Sequence, residues 1–323
     1  TVPGTWLVDG SERLRQRPIG PLVDALRALG GRIHFEARQG YAPVTIDGGK
    51  LRGGSVELDA SLSSQFVSAI LMAGTRSRSG IRLRVSNLVS APYLDLTLDV
   101  LGAFGAGVHQ DAAGDFHVEP SRMRAERFDV EADFSSAAYP AAAAALTGGR
   151  VEVRGVRRDS RQGDRRFLDI LAEMGARVDW APWGFELSAT GDLTGVDVDL
   201  ADLPDQVPTL AALAPFAIGV TVIRNVPHLR LKESDRLAAM ATELRRLGAS
   251  VDERSDGLEI AGTWSDRRRI PTAVTEVRTY GDHRIAMSLA ICGLRRPGVV
   301  VGSPEVVSKS YPEFWTDLDS LVR

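Results

Sequence analysis

Lys232-Glu233-Ser234-Asp235-Arg236 sets two cations, two carboxyl groups and a hydroxyl within five residues. Asp282-His283-Arg284 and Ser308-Lys309-Ser310-Tyr311-Pro312 follow downstream with the same mixture. Guanidinium and ammonium groups bind phosphates and carboxylates through charge-assisted bonds. Three such clusters therefore suit a cleft lined for a polyanionic substrate. A lone Lys-Glu-x-x-Arg run is more often a solvated helix face with weak salt pairing. Recurrence and order must supply the specificity.

The rest of the chain says how such clusters are carried. At 323 residues, 44% hydrophobic and 25% charged, it can bury a large core and exceeds the comfortable size of one domain. The net charge of −3 and pI near 6.0 give no global field for nucleic acid or an anionic membrane, so an anion site must be made locally. One cysteine, Cys292, rules out an internal disulfide and a multi-cysteine metal site. It lies in the apolar run 285–294 and reads as a core residue. Cysteine usage suits a reducing, cytoplasmic setting. No stretch has the apolar length of a membrane span, and no basic region followed by an apolar run opens the chain.

An internal repeat organises the clusters. Helix-like segments end in glycine at Gly30, Gly105, Gly175 and Gly248, spaced 75, 70 and 73 residues apart, and each is followed by a strand-like run. Glycine there supplies the left-handed residue that stops a helix. Ser63-Ser64-Gln65, Ser135-Ser136-Ala137, Pro204-Asp205-Gln206 and Asp282-His283-Arg284 keep the same rhythm, each before an apolar helix. A third set, the loops before the glycine-ended helices, holds 13–18, 90–93, 160–164, 232–236 and 309–312. Each unit reads strand, helix, strand, helix, strand, strand, which predicts α/β units with helix-covered sheets. The loops fall at helix starts, where free N–H groups and the dipole favour anions. Ser63-Ser64 and Asp205 also have a plainer reading as helix caps.

Arg17-Pro18-Ile19-Gly20, Ser63-Ser64-Gln65-Phe66, Ser90-Ala91-Pro92-Tyr93, Asp205, Lys232 to Arg236, Asp282-His283-Arg284 and Lys309 occur in an order that resembles the 5-enolpyruvylshikimate-3-phosphate synthase family along nearly the whole chain. The resemblance implies a two-lobed α/β fold of repeated βαβαββ units, an inside-out α/β barrel, with the cleft between lobes. It implies transfer of the enolpyruvyl group from phosphoenolpyruvate to shikimate 3-phosphate, with no metal, no cofactor and no nucleic-acid or membrane partner. Arg17, Gln65, Arg236, Arg284 and Lys309 would hold phosphoenolpyruvate. Ser63, Ser64, Gln65, Ser90, Tyr93, Asp205 and Lys232 would hold shikimate 3-phosphate. Asp205 is the candidate base at the hydroxyl, and Glu233 the candidate group that gives and retakes the methylene proton. Lys232 and Arg236 would lower the pKa that such a donor needs raised. Asp282 and His283 would position neighbours.

The same resemblance sets two boundaries. Phe128 to Asp133 matches the family's hinge, so lobes of 1–131 and 132–323 are expected. Trp6-Leu7-Val8 reads as the second strand of a unit, and the family's early Lys-Ser and Asn-Ala-Gly-Thr patterns are absent. The first lobe is therefore expected to be incomplete and to need a complementing N-terminal segment. Related UDP-N-acetylglucosamine enolpyruvyl transferases are the alternative; they commonly carry a first-lobe cysteine, whereas Cys292 is near the far end. A non-catalytic fragment or binding module is the second alternative.

Overall fold

The computed structural model describes residues 1–124 and 127–321. It forms two compact units, Thr1–Asp129 and Val130–Arg323. Their apolar cores are separate: residues from Val23 to Val118 build those of the first, and Phe134 to Leu318 that of the second.

The predicted repeat is traced twice in full. In the first unit, Gly54–Asp59 runs parallel to Ile81–Ser86, and Phe116–Val118 and Val108–Gln110 add antiparallel strands. Helices Gln65–Gly74 and Ala91–Ala103 make the crossovers. In the second unit, Asp197–Asp199 runs parallel to Val220–Arg224, and Gly257–Ala261 and Ser250–Arg254 add antiparallel strands. Val207–Leu213 and Arg236–Arg246 are the corresponding helices. A third parallel pair, Thr275–Val277 with Val299–Val301, brackets helix His283–Gly293. Each unit also has a three-stranded antiparallel sheet, with Val44–Gly48 central in one and Gly184–Ser188 in the other.

Burial follows the side-chain periods. Strand Ile81–Ser86 alternates buried and exposed residues along most of its length, as a sheet with one wet face must. All seven residues of Val207–Leu213 are buried, as are ten of helix Phe134–Thr147, most of them alanine. Small side chains let these helices and His283–Gly293 pack closely on one another. Helices thus lie inside and sheets outside, but the sheets are separate and open among the described residues. The expected barrel does not close.

The glycine stops form as the sequence requires. Gly30, Gly105, Gly175 and Gly248 have φ of +95°, +75°, +113° and +95°. After each, the next N–H reaches back to a leucine carbonyl: Gly31 to Leu26, Ala106 to Leu101, Ala176 to Leu171 and Ala249 to Leu244, at 2.8–2.9 Å. This is one Schellman closure made four times.

A second repeated device aligns the loops that follow the parallel strands. Asn87, at φ +51°, donates to Asp59, and Asn225, at φ +63°, donates to Asp199. Asparagine tolerates the left-handed region that these turns need. Each tie joins the loops at the carboxyl ends of two adjacent parallel strands, the edge where open α/β sheets gather ligands.

Candidate functional site

In the second unit those loops converge on one arginine. Arg236 opens its helix and is 1% exposed, so its charge must be paired within the protein. Its Nη1 donates to Asp205 Oδ1 at 2.7 Å and its Nη2 to Glu233 Oε2 at 3.0 Å. Its Nε donates to Asp282 Oδ2 at 2.8 Å. Asp205 Oδ2 accepts from Arg284 Nη2 at 2.9 Å, and Glu233 Oε1 from Lys309 Nζ at 2.7 Å. Cations and carboxylates therefore alternate along Lys309, Glu233, Arg236, Asp205 and Arg284. Asp282 also accepts from Ser234 Oγ at 3.0 Å and caps its helix through Arg284 N at 3.0 Å.

These contacts correct two plainer readings and move a third, the capping by Ser63-Ser64, onto Ser63. The Lys232–Arg236 run is not a solvated helix face, because its first four residues form a loop and Arg236 is buried. Asp205 does not cap a helix: it sits within the short turn Pro204–Gln206, whose cap position makes no side-chain bond. Ser64 makes no capping bond to helix Gln65–Gly74; Ser63 Oγ instead accepts from Gln65 N at 3.2 Å.

Charge pairing sets the proton affinities. Burial, the largest influence on Glu233, pushes its carboxyl up, but Arg236 and Lys309 outweigh it and leave the pKa at about 2. The free protein therefore holds Glu233 as a carboxylate, not as a proton donor. Asp205 follows the same pattern: burial pushes it up, whereas Arg284, Arg236 and Lys232 hold it well below the usual carboxylate range. Burial foremost, with Arg284 adding to it, lowers His283 to about 4, so this ring is neutral near pH 7. Cys292 is fully buried, and burial pushes its thiol up to about 12, as fits a core residue.

Supporting contacts fix the loop that delivers Asp282 and Arg284. Glu243, fully buried on helix Arg236–Arg246, accepts from Tyr280 Oη at 2.7 Å and Arg278 N at 3.2 Å, and pairs with Arg246. His228 escaped the sequence reading. It is buried, neither ring nitrogen has a hydrogen-bond partner among the described residues, and burial followed by Lys232 lowers its pKa to about 4. Only its closeness in sequence to Lys232 could have marked it.

In the first unit, Ser63, Ser64 and Gln65 stand at the start of Gln65–Gly74, and Ser90 and Tyr93 at the start of Ala91–Ala103. The two helices pack together, with Ser68 Oγ and Thr97 Oγ1 bonded at 2.8 Å. Ser63, Ser64 and Ser90 are buried, and Ser90 takes φ +55°. Gln65 is exposed and Tyr93 half-buried. Arg17 precedes helix Gly20–Ala28 and is half-buried. Among the described residues no group of His, Cys, Asp and Glu could hold a metal ion, and no helix is long and apolar enough to cross a membrane.

A repeat-built α/β protein with interleaved arginine, lysine and carboxylate groups at helix starts belongs to the class that handles small anionic substrates in a water-poor site. A family model described as EPSP synthase (3-phosphoshikimate 1-carboxyvinyltransferase) matches residues 2–318. The 3-phosphoshikimate 1-carboxyvinyltransferase of Syntrophobacter fumaroxidans is 45% identical over 320 residues, covering 98% of this chain and 74% of that protein. That of Methanoculleus marisnigri is 43% identical over 314 residues, covering 97% and 72%. EPSP synthase from Acinetobacter baumannii matches in structure with a TM-score of 0.76 and 28% identity, covering 98% of this chain and 73% of that one. The chain belongs to the EPSP synthase family of transferases.

Proposed function

We propose that the protein transfers the enolpyruvyl group of phosphoenolpyruvate to the 5-hydroxyl of shikimate 3-phosphate and releases phosphate. Beside the family membership, one observation carries this reading: the alternating chain from Lys309 to Arg284, centred on buried Arg236. Arg17, Gln65, Arg236, Arg284 and Lys309 take the phosphate and carboxylate of phosphoenolpyruvate. Ser63, Ser64, Gln65, Ser90, Tyr93, Asp205 and Lys232 take shikimate 3-phosphate. The single buried cysteine fits a reducing compartment such as the cytoplasm.

Substrate anions compete with Glu233 and Asp205 for the same cations. As Arg236 and Lys309 turn to the ligand, Glu233 loses the charges that depress its pKa and takes up a proton. It then protonates the phosphoenolpyruvate methylene while the 5-oxygen bonds to the adjacent carbon and gives its proton to Asp205. Return of the methylene proton to Glu233 and departure of phosphate restore the double bond. Phosphate release from the full-length protein, dependent on both substrates, tests the reading. Asp205→Asn and Glu233→Gln are each expected to lower kcat by about a hundredfold or more. No phosphate release by the unsubstituted protein sinks it.

A further inference from the structure

Behind Asp205 and Arg284 the second unit buries another carboxyl group that the proposed chemistry does not use. Asp164, on the short turn Gly163–Arg166, is 4% exposed. Its Oδ2 accepts a hydrogen bond from Ser135 on helix Phe134–Thr147, and its Oδ1 accepts none from the described residues. Gln206, next to Asp205 in sequence and fully buried, approaches Asp164 but has no hydrogen bond of normal geometry at either amide atom. Tyr139, one helical turn beyond Ser135, buries a hydroxyl that lies beside Arg284 and also lacks a bond of normal geometry. Native interiors leave few polar atoms unpaired. Apolar side chains would fill this space at lower cost if packing were the only purpose.

We propose that Asp164 is a positioning residue for Asp205 and Arg284, forming with Ser135, Gln206 and Tyr139 a buried polar bed whose hydrogen bonds rearrange with the charge on Asp205. The inference rests on the substrate-handling roles of Asp205 and Arg284 given above. The charged groups that face Asp164 are Asp205, from the turn Pro204–Gln206, and Arg284, from helix His283–Gly293; Arg236 and Lys232 act on it through Asp205. Burial first, and then Asp205, push the Asp164 carboxyl up to about 6, while Arg284, Ser135 and Gln206 oppose them. Protonated, Asp164 can donate to the Gln206 amide oxygen while still accepting from Ser135. Ionised, it can only accept, so Gln206 must turn its nitrogen inward, and Arg284 then faces two carboxylates instead of one.

Asp164→Asn keeps the shape and the Ser135 bond but cannot ionise. In the full-length protein we expect kcat to fall by about tenfold or more, with a smaller rise in the KM values because Asp205 and Arg284 also hold substrate. The parent's kcat/KM profile, which reports groups of the free protein, should bend near pH 6, the value at which Asp164 titrates, and the variant's should not. Melting supplies a readout without substrate. Folded Asp164 keeps its proton up to about 6, against 3.8 for an ordinary aspartate, so the parent loses stability as pH rises through that window. The Asn variant escapes this loss. Melting effects of Asp164→Asn and Asp205→Asn should therefore be non-additive. Unchanged kcat, or additive melting effects, overturns the proposal. A parent without turnover defeats the functional reading instead, and the melting cycle then decides the proposal alone. If Asp164→Asn does not fold, Ser135→Ala takes its place: it removes the donor that favours the ionised carboxyl, so the bend and the stability loss should move to higher pH, and an unmoved profile overturns the proposal.

Discussion

At the scale of single residues, the site is governed by which carboxylate each cation holds. Glu233 has a folded pKa of about 2 against an ordinary 4.5, so between those values the folded chain binds fewer protons than the unfolded one. Its stabilising contribution is present above 4.5 and lost as pH falls toward 2. The melting temperature of the parent relative to Glu233→Gln should decline as pH falls from about 4.5 toward 2, and a constant difference would refute the pairing. The residue types of this site were legible in the sequence, since Asp205, Glu233, Arg236, Arg284 and Lys309 were all singled out. Their mutual pairing was not, because Asp205 and Arg284 lie 79 residues apart. His228 was missed, and Asp164 was marked only as the end of the repeated loop 160–164, because burial, not residue type, makes them unusual.

At the scale of elements, local chemistry places the helix starts and ends that carry the site. Gly248→Ala would put a Cβ 2.8 Å from Pro271 Cγ at φ +95°, whereas Gly105→Ala at φ +75° would meet open space. The second should cost about 1–2 kcal/mol from the left-handed backbone alone, and the first more. Urea midpoints of the two variants check this order. Glu243→Ala would leave the Tyr280 hydroxyl and the Arg278 N–H without their acceptor, destabilising by about 2–3 kcal/mol. Because Tyr280 precedes Asp282 and Arg284, kcat should fall as well. Glu243→Gln keeps an acceptor on only one of these two sides, for the Arg278 N–H, and must donate to Tyr280 Oη on the other, so it should recover part of the activity; a stability loss with kcat intact would limit Glu243 to packing.

At the scale of the whole molecule, two separate cores predict two protease-resistant pieces. Residues 119–124 and 127–133 contain no helix or strand, and they lie between the last core residue of one unit, Val118, and the first of the other, Phe134. Brief proteolysis should cut there first, leaving two folded fragments identifiable by mass. Early cuts within either core would contradict the division at Asp129 and Val130.

The sequence by itself determined the repeat, its glycine stops and the residue types gathered at helix starts. The stops and residue types are local matters of backbone conformation, hydrophobic period and side-chain chemistry, read within about ten to fifteen residues, and the repeat is their recurrence along the chain. Tertiary structure alone decided that Arg236 is buried, that Glu233 and Asp205 are held as carboxylates by shared cations, and that Asp164 lies unspent behind them. Proton affinity depends on desolvation and on charges brought from distant segments, and neither quantity exists until the chain has folded.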